Sequence, residues 1–257
     1  MKLFKIALIL WLVAACIISS KVPLNAQLSN LETKKEITIA VKDNSRPLAY
    51  LNESGELQGL EIDIAKKLAQ ELLPDQAAIN FIPVRNQDRL DALLNQQVDL
   101  VIARLTANVP RSQLIDFSIY YYLDGTGIIS KNTSIKGIQD LTNSRIAVLK
   151  GSDSIFVINS RLPQAELVEV DSYQQAYDYL ESLEAIAFGA DQSILTGWVQ
   201  QYPEYRLVSK RLSGEPLAIG IPKGLQYASL RTKINQAIAN WRASGWLRER
   251  ATYWGLP

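Results

Sequence analysis

From residue 36 onward the chain alternates between two hydrophobic periods. Glu-Ile-Thr-Ile-Ala-Val (36–41) places apolar residues at every second position, the pattern of a half-buried strand. Further on, Ile62, Ala65, Leu68, Ala69 and Leu72 recur at helical spacing and predict a helix with one stripe turned to a core. Gly59 just ahead lets the chain turn sharply into it. Asp63 to Lys67 and Lys67 to Glu71 are opposite charges at i,i+4, expected on the solvent side. Glu61 and Asp63 fall in the first turn, where acids complement the helix dipole.

The same reading continues along the chain. Strands are predicted over Ile79–Val84 and Val98–Ala103, with a short helix over Arg89–Asn95 between them. A second set begins near Gly125: strands Thr126–Ser130, Arg145–Lys150, Leu167–Val170 and Ala185–Phe188 interleave with helices running through Ile158 and over Tyr173–Leu183 and Asp191–Gln200. Ala218–Pro222 reads as a returning strand. Leu230–Trp254 reads as an amphipathic terminal helix or helix pair whose aromatics pack rather than bind. Strand and helix in turn argue for an α/β protein with largely parallel sheets.

Composition narrows the chemistry. Twenty-seven basic against 26 acidic residues, a formal charge of +1, give no electrostatic footprint for nucleic acid. The sequence has no histidine, which removes imidazole catalysis and His-ligated metal sites. Its single cysteine, Cys16, rules out an intrachain disulfide and a cysteine-cluster zinc site. Lys2 and Lys5 precede an apolar run over Ile6–Ile18, short for a bilayer span, so residues 1–18 read as a signal peptide. Val13-Ala14-Ala15-Cys16 resembles a bacterial lipoprotein processing box, which makes Cys16 a candidate lipidation site and 19–35 a tether. The alternative is a plain signal peptide cut later, after Ala26.

The order of residue types in Gly59-Leu60-Glu61-Ile62-Asp63-Ile64-Ala65-Lys66-Lys67-Leu68-Ala69 resembles the signature of the bacterial extracellular solute-binding proteins, family 3, which carry amino acids to ABC importers. Thr106-Ala107-Asn108-Val109-Pro110-Arg111, followed by Asp116-Phe117-Ser118 and Tyr120-Tyr121, is a second resemblance. Gly245-Trp246 and Tyr253-Trp254-Gly255 match the family's ending. The resemblance implies a two-lobed periplasmic-binding-protein-like fold (type II), each lobe a mostly parallel sheet flanked by helices. Lobe 1 would hold 36–124 and 216–257, and lobe 2 125–215, with the ligand in the cleft at the strands' carboxyl ends. It further implies a monomeric, non-enzymatic, exported binding protein, periplasmic or on the outer face of the cytoplasmic membrane, that meets a free amino acid and then its permease and ATPase, with no cofactor or metal.

By position, Arg111 would grip the ligand's α-carboxylate through a guanidinium fork that stays charged at any relevant pH. Thr106 would add a hydroxyl. Gly151-Ser152-Asp153-Ser154 would present a helix N-terminus, with Ser152 matching the family's first threonine and Asp153 departing from its second. Asp191 would take the α-ammonium; N-capping the following helix is its bland alternative. Ser45 and Asn86 stand where many members carry aromatics. Lys42, Arg89 and Arg104 add positive charge, resembling the glutamate/aspartate-binding branch, although such side chains could equally face solvent. Alternatives are a cyclohexadienyl or arogenate dehydratase-like enzyme on the same fold, and a ligand-sensing module, which would carry a membrane helix and signalling domain after the lobes.

Overall fold

The computed structural model describes residues 36–73, 78–208 and 210–257. The signal peptide, Cys16 and the tether lie outside the described residues.

Two five-stranded sheets organise the chain. In the first the order is Ala78–Pro83, Glu36–Val41, Leu100–Ile102, Gly220–Ile221, Asp116–Phe117. In the second it is Glu166–Val170, Arg145–Leu149, Ala187–Asp191, Thr126–Ser130, Arg206–Leu207. The first three strands of each sheet run parallel. The remaining pairings are antiparallel, so the sheets are mixed rather than mostly parallel. The cause is the path of the chain. In each sheet the fourth strand is the one by which the chain arrives from the other lobe, so a crossover sets its direction and not a βαβ unit. Those crossovers, Tyr122–Asp124 and Glu215–Leu217, pair antiparallel with each other.

Side-chain alternation gives each sheet two cores. Ile37, Ile39 and Val41 face the helix Leu60–Leu72 and the terminal helices Ala228–Ala243 and Trp246–Tyr253, whereas Ala40 and Val101 face Leu93, Ala103 and Leu105. In the second lobe Ile129, Ala147 and Phe188 point to one side, and Ile128, Ile146 and Val148 to the other. Gly59, at φ 128°, is required where it is: a Cβ there would lie 2.3 Å from the Leu48 carbonyl oxygen.

The helix Leu60–Leu72 buries Ile62, Ala65, Leu68 and Ala69 of its predicted stripe and half-buries Leu72, and Lys67 and Glu71 pair at 3.5 Å. Its first-turn acids differ from expectation. Asp63 turns from Lys67 to the far end of the chain, accepting bonds from Arg250 at 3.0 and 2.6 Å and from the Trp254 indole at 2.7 Å. Glu61 is fully buried; its Oε1 accepts the Tyr121 hydroxyl and, at 2.7 Å, the backbone N–H of Arg104, while Oε2 has no partner. Burial pushes its carboxyl above the usual range even though Tyr121 and the Arg104 amide bond to it. Two helices, not one, close the chain, with Gly245 at φ 82° making the bend.

Candidate ligand-binding cleft

A cavity of about 320 Å³ lies between the lobes. It sits where the strands Leu100–Ile102 and Ala187–Asp191 end and where the crossover Glu215–Leu217 passes between the sheets. Arg89, Arg104, Thr106 and Arg111 line it from the first lobe, and Ser152, Asp153, Tyr173 and Asp191 from the second. Asn86, Lys150 and Glu215 complete its polar wall.

Local sequence explains how each group is held. Asn108 accepts the Arg111 N–H at 3.0 Å and so caps the short turn Val109–Ser112, with Pro110 at its start. One arm of the Arg111 guanidinium donates to the Thr106 carbonyl at 2.8 Å, and the side chain lines the cavity. Thr106 bridges to Leu217, which ties the strand end to the crossover. In the Gly151–Ser154 turn, Gly151 takes φ 69° and the Ser152 hydroxyl accepts the Ser154 N–H at 3.2 Å. Asp153 makes no capping bond.

Arg104 joins the two walls. Its guanidinium reaches Asp191 across the cleft at 3.1 Å, both side chains about one-fifth exposed (17% and 22%). Burial pulls this guanidinium down, but the Asp191 carboxylate and then Tyr173 carry it above its ordinary value. Asp191 makes no side-chain cap to the helix Gln192–Gln201, so its carboxylate belongs to the cleft. Arg89 is buried with Nε on the Asn86 carbonyl at 2.9 Å and Nη1 on those of Ala103 and Arg104 at 3.0 and 2.5 Å. Burial, and then the charges of Arg111 and Arg104, bring its pKa down to about 10. Three guanidinium groups thus share one small space.

Two predicted residues stand elsewhere. Lys42 is buried and its amine donates to the Val84 carbonyl at 2.8 Å, because the strand end that carries it turns inward beside the neighbouring strand. Ser45 is buried in the short strand Asn44–Ser45, paired with Ala49. Neither lines the cavity.

Sequence reasoning passed over Tyr173, Lys150 and Glu215. Burial, then Asp191 and Asp124, push the Glu215 carboxyl up to about 7, while only Ser213, at 3.2 Å, opposes the shift by hydrogen bonding. The available signal was its place at the lobe boundary, beside Pro216. A second cavity, of about 210 Å³, shares Tyr173 with the first. Asn44 and Arg46 face Tyr177, Trp198 and Tyr202 across it, and at its edge the helix residue Gly197 lets the Arg46 carbonyl come close.

Among the described residues no helix is long and apolar enough to cross a membrane, and no cluster of acidic or sulfur ligands could hold a metal.

Comparison with known proteins gives a consistent result. The sequence model of the bacterial extracellular solute-binding proteins, family 3, matches residues 37–257. The ABC transporter glutamine-binding protein GlnH of Bacillus subtilis is 31% identical over 261 residues, which covers 95% of this chain and 93% of that protein. A glutamine-binding protein of Geobacillus stearothermophilus is 29% identical over 199 residues, 76% of each chain. Among solved structures, an ancestral cationic amino acid solute-binding protein superposes with a TM-score of 0.76 at 23% identity, over 89% of this chain and 99% of that one, a likeness of fold.

Proposed function

Since this chain belongs to the bacterial extracellular solute-binding proteins, family 3, we propose that it captures a polar amino acid, glutamate or aspartate before others, and delivers it to an ABC permease. It is a binding protein and not an enzyme, and the family works with free amino acids outside the cytoplasmic membrane. The lobes divide as 36–124 with 216–257, and 125–215; Cys16 anchors the chain through lipid.

Arg111 receives the α-carboxylate, assisted by Thr106 and the Gly151–Ser152 turn, and Asp191 receives the ammonium. A carboxylate leaving water needs such a partner, since burying it unpaired is prohibitive. The preference for an acidic ligand rests on one observation: Arg89, Arg104 and Arg111 line the same cleft, and the charges of Arg111 and Arg104 add to the burial that brings Arg89 down to about 10. A ligand with a second carboxylate relieves that repulsion, and a neutral one leaves it standing.

Isothermal titration with a panel of free amino acids tests this reading. Glutamate or aspartate should bind at micromolar level, about −8 kcal/mol. Tighter binding of glutamine or arginine overturns the acidic preference. Glutamine is the sharpest competitor, because the relatives are named for it and it differs from glutamate by one side-chain group.

A further inference from the structure

Arg104 and Asp191 form the one ion pair joining the two lobes among the described residues. The backbone beneath Arg104 cannot follow if that pair breaks. It holds φ 49°, a left-handed conformation that arginine adopts at a cost. Its N–H is fixed by buried Glu61 at 2.7 Å and its carbonyl by Arg89 at 2.5 Å. Only the side chain is free to move, and it swings within a cleft that already holds Arg89 and Arg111.

Consider a zwitterion arriving as proposed above, on which this step rests. Its ammonium takes Asp191, the carboxylate that pairs with the Arg104 guanidinium at 3.1 Å. A guanidinium displaced from Asp191 keeps the neutral Tyr173 hydroxyl but has no counter-charge, and a buried charge so placed beside two like charges is strongly unfavourable. A neutral ligand side chain offers it a dipole at most. A side-chain carboxylate offers it a full counter-charge within the same cavity.

We infer that Arg104 is the specificity-determining residue of this cleft: it exchanges Asp191 for the side-chain carboxylate of an acidic amino acid, so the ligand must bring both charges to break the internal pair. The ligand thereby replaces the pair between the lobes, with its ammonium on Asp191 and its second carboxylate on Arg104.

The experiment uses the full chain, unaltered and as Arg104→Asn and Arg104→Lys, titrated with L-glutamate, L-aspartate and L-glutamine. Asparagine tolerates the left-handed backbone, so the fold survives the change. Arg104→Asn should weaken glutamate and aspartate by roughly 10- to 100-fold, the loss of a charge-assisted contact, while glutamine holds or tightens. Arg104→Lys should restore part of the acidic preference. Spin labels at exposed Phe156 and Leu225 should report a wider interlobe distance in the ligand-free Arg104→Asn and Asp191→Asn proteins. An equal change for glutamate and glutamine, or an unchanged distance, overturns the role given to Arg104. If the unaltered chain binds none of these amino acids, the transport reading itself falls.

Discussion

Replacing Gly197 with alanine should separate ligand affinity from fold stability. Gly197 lies in the helix Gln192–Gln201 of the second lobe, and the Arg46 backbone of the first lobe rests on it. A Cβ there would stand 2.3 Å from the Arg46 carbonyl oxygen and 2.9 Å from its carbon. Carbon and oxygen pack no closer than about 3.3 Å, so the lobes must part by about 1 Å. Overpacking of this kind costs about 1–3 kcal/mol. Opening relieves it, so the cost falls on the closed form alone. Affinity for L-glutamate, read by titration calorimetry, should fall by roughly 5- to 150-fold. In the open form alanine within a helix is better than glycine by about 0.5–1 kcal/mol, so the ligand-free melting temperature should hold or rise. An unchanged affinity refutes the reasoning, and so does a loss of affinity accompanied by a lower melting temperature.

Arg111→Ala should weaken every amino acid the protein binds by roughly 100-fold, glutamate and glutamine alike, because the α-carboxylate is common to all; calorimetry that finds one ligand spared sinks the assignment. Asp63→Asn removes the carboxylate shared by Arg250 and Trp254 and should cost about 2 kcal/mol in urea unfolding while leaving affinity unchanged. Glu215, whose pKa is raised from 4.5 to about 7, favours the native state when protonated. Its contribution is complete below pH 4.5 and is lost as pH rises through 7. Unfolding free energy should therefore decline across that window, and Glu215→Gln should flatten part of the decline, the rest coming from Glu61 and Asp124, which are raised in the same direction. Identical pH slopes for the two proteins would count against it.

The strands Glu36–Val41 and Thr126–Ser130 emerge with the bounds their period implies, and the helix at residue 60 with its stripe, because local spacing decides them. Long-range partners were not legible. Glu61 reads as an exposed dipole partner, but Tyr121 and the Arg104 amide enclose it; Asp63 reads as a partner of Lys67, but Arg250, 187 residues on, arrives first. The cleft shows the same division. Arg104 is visible in sequence as an extra cation, and Asp191 as an acid, but only the fold sets them 3.1 Å apart. Lys42, read as another cation for the ligand, is taken up by a neighbouring carbonyl. Which strand faces run parallel depends on the two crossovers, and no short-range pattern encodes that.

The seam at Gly197 also touches Trp198, the next residue. Trp241, Trp246 and Trp254 belong to the terminal helices, which leaves Trp198 as the second lobe's one tryptophan among the described residues. Its indole is 7% exposed, stands 5.1 Å from the Phe188 ring and leaves its N–H unpartnered. When the Arg46 loop lifts, solvent reaches that ring and its fluorescence emission moves to longer wavelength. Opening and capture therefore carry their own optical signal, and their rates can be followed by stopped flow without attaching a dye.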